Sequence, residues 1–451
     1  MQFSANTAVL QWLQLILKER FGLNFKVAYT SNNTLQVSLD IDLKTISVVS
    51  QFSVFSQQHS DLPCTNWDPE SEGWRSVLGI PLVAPGTTSL PIPLIKIHSK
   101  GCDIGYDILG LTYWMLSRLE EIGRKDLDLH GRFPATASHA HKYGYLERPI
   151  VDEWLDIFGQ VIRQTWPNLS ITTHKSSVKV SHDVDSPSRY GFRTFAGILR
   201  AVTGDVVLRK KFGSPFIAPW VRYNTKNQLH SLDPDNTFNW IMDISEKCGM
   251  RSAFYFICGH TDPHDADYKL EHPAIRDLMR RIDDRGHEIG LHPSYMTYQK
   301  PASIQNEASR LREIIKSENL NQSELGARMH YLRFEYPLTL NALGAAAISY
   351  DTTLGYADHS GFRCGTCFEY PAFDPVSQKS LVLRIRPLIA MEVSVFGSSY
   401  MGLGVSDEAE EKLISLRKTC RTVGGCFTLL WHNCQFDNVE KQRMYKNVLE
   451  V

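Results

Sequence analysis

What constrains this chain most is a join that recurs through its C-terminal part, where a short apolar or β-rich run ends in a residue able to bind a metal or move a proton. Val178-Lys179-Val180 passes into Ser181-His-Asp-Val-Asp185, so a buried strand ends in an imidazole and two carboxylates. Carboxylates are rarely tolerated there unless paired, hydrogen-bonded or bound to a cation. Ser252 to Ile257 leads to Cys258 and His260, His287 to Leu291 leads to His292, and Met329 to Leu332 leads to Arg333. Ala346 to Tyr350 leads to Asp351, Leu381 to Ile385 to Arg386, and Phe427 to Trp431, itself ending the run, to His432. Between these runs Pro273 to Asp284 and Ile304 to Ser317 have amphipathic helical spacing, and Ser406 can cap the acidic first turn of a helix running to about Arg421. Seven such strands alternating with helices predict an α/β fold with a mostly parallel sheet. An open doubly wound sheet would give a similar string, but polar ends on nearly every strand favour a distorted (β/α)7 barrel over a sheet with a single switch point.

A chain of 451 residues, 43% of them hydrophobic, predicts two domains with a core each. The seam is expected near residue 172, in the polar, turn-rich stretch Pro167 to Ser177, which gives domains 1–172 and 173–451. Upstream, Thr34 to Leu43 and Thr45 to Phe55 read as strands, and Ile108 to Ile122 and Ile150 to Trp166 as helices. This is a smaller α+β domain with no catalytic cluster. A net charge of −1 implies no general affinity for polyanions, and Arg209-Lys-Lys211 reads as a solvated loop or helix face, so nucleic acid is not an expected partner.

The first apolar stretch, Val9 to Leu17, contains Gln11 and Gln14 at helical spacing and follows a lead without basic residues, which suggests a surface helix rather than a signal peptide. No run approaches the roughly 20 apolar residues that span a bilayer. Nine cysteines, an odd number, fit a reducing compartment, so a cytoplasmic location is expected. Cys364-Gly-Thr-Cys367 has redox or zinc spacing but no second pair, and the two read as ordinary thiols.

The ordered strand ends resemble the polysaccharide deacetylase, or NodB-homology, superfamily of metal-dependent carbohydrate N-deacetylases. Ser181-His-Asp-Val-Asp185 is similar to the first family motif, with one residue between its acids, which implies Asp183 as catalytic base and Asp185 as metal ligand. Gly286-His-Glu-Ile-Gly-Leu-His292 resembles the second motif and implies His292 as a ligand. Leu430-Trp431-His432 resembles the closing motif and implies His432 as general acid. The resemblance spans about residues 178 to 436 and implies a NodB-like barrel, a divalent metal ion with zinc first among them, and an N-acetylated saccharide or sugar conjugate as substrate. Upstream, Ser117-Arg-Leu-Glu-Glu121, Gly131-Arg-Phe-Pro134 and Pro149-Ile-Val-Asp-Glu153 resemble an uncharacterised region fused to some of these deacetylases.

Two departures shape the expected site. The family places a second ligand histidine four residues beyond the first, and here that position is Met296. His330 is the expected substitute, ahead of His182 and His359. The arginine that orients the base is expected to be Arg333 rather than Arg328. Asp351, Asp358 and Arg363, in a polar stretch where relatives contact substrate, join Trp431 as candidate substrate contacts.

Taken singly, each element has an ordinary explanation: an Asp pairing with Arg189, a loop histidine, an imidazole on a carbonyl, or Glu392 capping a loop. Their occurrence in the order the superfamily uses implies a deacetylase, and the expected cytoplasmic location implies a nucleotide-linked or lipid-linked saccharide and a role in making surface polysaccharide. A saccharide-binding protein without catalysis, suggested by Met296, and a hydrolase of another C–N bond are the alternatives.

Overall fold

The computed structural model describes residues 7–30 and 32–450; residues 1–6, with the lead considered above, lie outside them. The larger sheet has nine strands in the order Tyr370–Asp374, Lys379–Ile385, Tyr350–Asp351, Gly326–Ala327, Glu288–His292, Ser252–Ile257, Ser177–Val184, Cys426–Leu430 and Ala390–Met391. All neighbours pair in parallel except Tyr370–Asp374 with Lys379–Ile385. Ser252–Ile257 is buried at every position, as a parallel strand covered on both faces must be.

The helices between the strands follow their sequence signals. Pro273–Asp284 begins with Pro at its first turn, has His272 accepting from Ala274 N, and buries Ile275, Leu278, Met279 and Ile282 at helical spacing. Asp407–Thr422 is capped by Ser406, whose hydroxyl accepts from Ala409 N.

The sheet is strongly curved. Arg328, just beyond the strand Gly326–Ala327, donates from Nη2 to Ser181 Oγ at 2.8 Å, although that strand lies three places away. Three strand spacings in a flat sheet would be about 14 Å, more than an arginine side chain spans. Tyr255 and Tyr350 meet hydroxyl to hydroxyl at 2.9 Å across the same interval. Their rings need room: a Cβ at Gly290 would lie 2.3 Å from the Tyr255 ring, and one at Gly326 would lie 2.1 Å from that of Tyr350. Gly290 of Gly286-His-Glu-Ile-Gly-Leu-His292 is thus a packing requirement.

Two expected strands differ. Met329 to Leu332 is a tight 3-10 turn over His330–Leu332, with Tyr331 and Leu332 both left-handed (φ 60° and 56°), and the strand is the shorter Gly326–Ala327. Only Tyr350–Asp351 of the run from Ala346 is extended. Upstream, Thr34–Ser38 and Thr45–Val49 stop short of the expected ends, and Phe52–Phe55 is helical.

The N-terminal part has a five-stranded sheet in the order Lys26–Tyr29, Thr34–Ser38, Thr45–Val49, Gly101–Ile104, Ile95–His98, with helices Thr7–Phe21, Ile108–Leu116 and Ile150–Thr165 beside it. One apolar core runs from Val9 to Leu449. Polar ties cross it as well: Trp12 Nε1 donates to Pro371 O, and Arg363 pairs with Glu121. The segment after Asp128 braces the mouth of the larger sheet, where Arg132 donates to Tyr331 O at 3.1 Å and to the Tyr400 hydroxyl at 3.2 Å.

Candidate metal centre

Asp185 directly follows the strand Ser177–Val184, and three imidazoles aim their Nε2 atoms at its carboxylate. His292 Nε2 lies 3.3 Å and His330 Nε2 3.7 Å from Oδ1, and His432 Nε2 lies 3.6 Å from Oδ2. Each ring is held from behind. His292 Nδ1 donates to Arg328 O at 2.5 Å, His330 Nδ1 to Asp265 Oδ1 at 2.9 Å, and His432 Nδ1 to Glu392 Oε1 at 2.6 Å. An acceptor at Nδ1 assigns one proton there, so Nε2 meets Asp185 as a lone pair when the ring is neutral and with a second proton when it is charged.

That arrangement leaves two buried atoms, Asp185 Oδ1 and His292 Nε2, without a hydrogen-bond partner among the described residues. When the ring is neutral, its lone pair is repelled by the carboxylate oxygen unless a positive charge, a proton or a metal ion, lies between them. Asp185, His292 and His330 each offer a ligand atom, all within 4.8 Å of one another. One carboxylate and two imidazoles, the latter anchored by a backbone carbonyl and a carboxylate, make a donor set suited to zinc or a related divalent ion. The residues therefore fit a metal.

Electrostatics favour positive charge beside Asp185. Burial opposes the charge on Asp185, but His330, His292 and His432 outweigh it and hold its carboxyl well below the usual range. His292 is pushed upward, since Asp183 and Asp185 outweigh its burial. Asp265 is buried, yet His330 and the backbone N–H groups of Tyr295 and Thr261 hold it at about 2. His432 is buried too, but Glu392, Asp185 and Asp183 carry it up to about 10.

Asp183 sits beside this cluster, with Oδ2 3.6 Å from His292 Nε2 and Oδ1 accepting from Arg328 Nη1 at 2.8 Å. Arg328 also donates to Ser181 Oγ and Thr352 O, so its guanidinium is fully employed in fixing the acid. The groups open into a cavity of about 310 Å³ whose wall includes Asp183, Asp185, His292, His330, His432, Tyr331 and Tyr400. A positioned carboxylate, a positioned imidazole and a metal-suited donor set around one cavity are the parts that activated-water hydrolysis uses.

Several expected residues lie elsewhere. Arg333 does not reach Asp183; it donates to His130 O and Tyr295 O, each at 2.7 Å, because the turn after Met329 redirects the chain. Asp351 is fully buried and accepts from Thr353, Arg363 is buried against Glu121, and Asp358 accepts from Ala135 N. Trp431 is buried and donates to Gln435 O. None of these four lines the cavity.

Met296 meets Arg333 through its sulfur, 3.4 Å from Nη1. His182 donates from Nδ1 to Trp431 O and stacks on Phe254, while His359 faces Glu147. Arg189 pairs with Asp205 and Asp235 rather than with either acid of the 181–185 run. Cys364 and Cys367 are buried free thiols.

Two anchors escaped sequence reasoning. Asp265 lies in the loop after Ser252–Ile257, whose run of His260, Asp262, His264 and Asp265 was the available signal. Glu392, which reads along the chain as a residue capping a loop, accepts from His432 Nδ1.

Comparison with known proteins adds little. Residues 3–167 match a family described as a family of unknown function (DUF7033). No curated protein matches the chain. A protein assigned as a polysaccharide deacetylase from Mycobacterium smegmatis is 15% identical over 61% of this chain and 83% of its own, with a TM-score of 0.39. Puue allantoinase is 13% identical over 61% and 84%, with a TM-score of 0.36. A protein assigned as a polysaccharide deacetylase from Pseudomonas aeruginosa PAO1 is 12% identical over 61% and 84%, at 0.37. At scores this low the likenesses assign neither fold nor activity to this chain.

Proposed function

We propose that this chain is a metal-dependent hydrolase, with Asp185, His292 and His330 as ligands, built on a (β/α)7-type barrel. Within that class we infer a carbohydrate N-deacetylase that removes the N-acetyl group from an amino sugar or glycoconjugate. The observation that carries this reading is the convergence of three anchored imidazoles on Asp185, with two buried ligand atoms left unpartnered.

A divalent ion held by these residues, zinc first among the candidates, would supply a Lewis acid and lower the pKa of its water towards neutrality. Asp183, steadied by Arg328, stands where it can accept the proton of the attacking water. His432, anchored on Glu392, presents Nε2 to the same cavity and delivers a proton to the departing amine. The products are acetate and a free amino sugar. Tyr331 and Tyr400, held by Arg132, form the rim against which a sugar ring packs, which gives the N-terminal part a role in shaping the entrance.

A seam near residue 172 and a place in cytoplasmic surface-polysaccharide synthesis belong to the same proposal. Nine free cysteines support a reducing compartment.

The test is metal content of the purified protein beside Asp185→Ala, His292→Ala and His330→Ala, followed by acetate release from acetamido sugars. Near-stoichiometric divalent metal, lost in all three variants, with acetate release lost in Asp183→Asn, is the expected result. No metal in the wild type after supplementation overturns the hydrolase and leaves a saccharide-binding protein.

A further inference from the structure

Between the strand Ser177–Val184 and the helix Phe238–Lys247 the chain inserts two helices, Phe195–Val207 and Ser214–Asn224, whose surface pattern is inverted. Their inner faces pack together through Ile198, Ala201 and Val202 against Ala218 and Val221. Their outer faces are not polar. Phe195, Leu199 and Val207 recur at helical spacing on the first helix and are 86%, 62% and 67% exposed; Phe216, Trp220 and Tyr223 do the same on the second, at 83%, 57% and 70%. Leu208 and Phe212, also exposed, fill the turn between them. Eight large apolar side chains displayed within 29 residues mark a surface that something covers.

Charge identifies what covers it. From Arg193 to Lys226 there are seven cations and one acid, Asp205, which is buried against Arg189 and the Tyr190 hydroxyl. Arg200, Lys210, Lys211, Arg222 and Lys226 have no carboxylate within ion-pair distance among the described residues. Aromatic and aliphatic stripes interleaved with unpaired cations suit the interface of an anionic phospholipid bilayer, with rings at the acyl boundary and cations among the phosphates. The first helix also starts beside the metal centre, since Phe192, Thr194 and Arg200 share with Asp185 a second cavity of about 390 Å³. We propose that this helical pair docks the protein on an anionic membrane surface. Taken with the hydrolase reading, on which this consequence alone rests, docking would bring a membrane-carried saccharide to the site.

The test is sedimentation of the full chain with phosphatidylcholine vesicles, with and without phosphatidylglycerol, which needs no catalysis. Expected are binding that strengthens with phosphatidylglycerol, binding at least about tenfold weaker in Phe216→Ser/Trp220→Ser, and loss of the phosphatidylglycerol dependence in Arg200→Glu/Lys210→Glu. Retained metal content and circular dichroism in both variants establish that they are folded. No binding by the wild type, or binding unchanged in the apolar variant, overturns the proposal. So does light scattering that finds a dimer without vesicles which the apolar variant dissociates, because a second copy then covers the face.

Discussion

Two clusters of charged side chains in this molecule differ in completeness. Where the N-terminal part meets the larger sheet, Arg118 donates to Glu120 and Glu121, and Arg363 makes a two-pronged pair with Glu121 at 2.9 and 2.6 Å. Glu120 takes Ser60 and the His139 N–H on its other oxygen. Burial there is met by partners on every side, which is what a structural ion cluster requires. At the mouth of the sheet, Asp185 Oδ1 and His292 Nε2 are buried atoms that have no hydrogen-bond partner among the described residues. Complete pairing marks charges that hold the molecule together; directed incompleteness marks charges arranged for something that arrives.

The widest separation between the two clusters is expected from Glu121→Ala. It leaves the Arg118 and Arg363 guanidiniums buried without their shared acid and should cost about 3–5 kcal/mol in urea denaturation. A loss under about 1 kcal/mol would erase the distinction drawn here. The same residue sets an acid limit: although burial opposes its charge, Arg363 and Arg118 hold Glu121 at about 2. A carboxyl depressed on folding stabilises above its unfolded value near pH 4.5 and loses that contribution as pH falls toward about 2. Denaturation midpoints across that window should fall more steeply for the wild type than for Glu121→Gln.

A smaller effect is expected behind the metal centre. Asp265→Asn keeps its shape but weakens the acceptor that orients His330, so competition with a chelator should show about 10–100-fold weaker metal binding. Unchanged affinity would remove Asp265 from the centre. The smallest effect sharpens the comparison most: in metal-free protein at neutral pH, Asp185→Asn should cost only about 1–2 kcal/mol, because His330, His292 and His432 hold this carboxyl below its usual range and it therefore stabilises the fold, but at a partly open site. A loss as large as that of Glu121→Ala would make Asp185 a structural charge.

The sequence by itself determined the alternation of elements. Helices such as Pro273–Asp284 and strands such as Ser252–Ile257 are dictated by nearby residues, through capping, spacing and continuous apolar runs. Through the resemblance of its motifs it also put forward Asp185, His292 and His330 together, and their side chains offer ligand atoms within 4.8 Å of one another. Tertiary structure alone decided which arginine serves Asp183. Arg328 and Arg333 are both plausible along the chain, but a left-handed turn at Tyr331 and Leu332 sends Arg333 to Tyr295 and leaves Arg328 inside. It also decided that Asp351 and Arg363 are buried in the frame, and that Asp265 and Glu392 steady the imidazoles. Asp183 and Arg328 are 145 residues apart, and His330 and Asp265 are 65 apart. Local propensity has no bearing on such pairs, because their energy exists only once a curved sheet has brought the strand ends together.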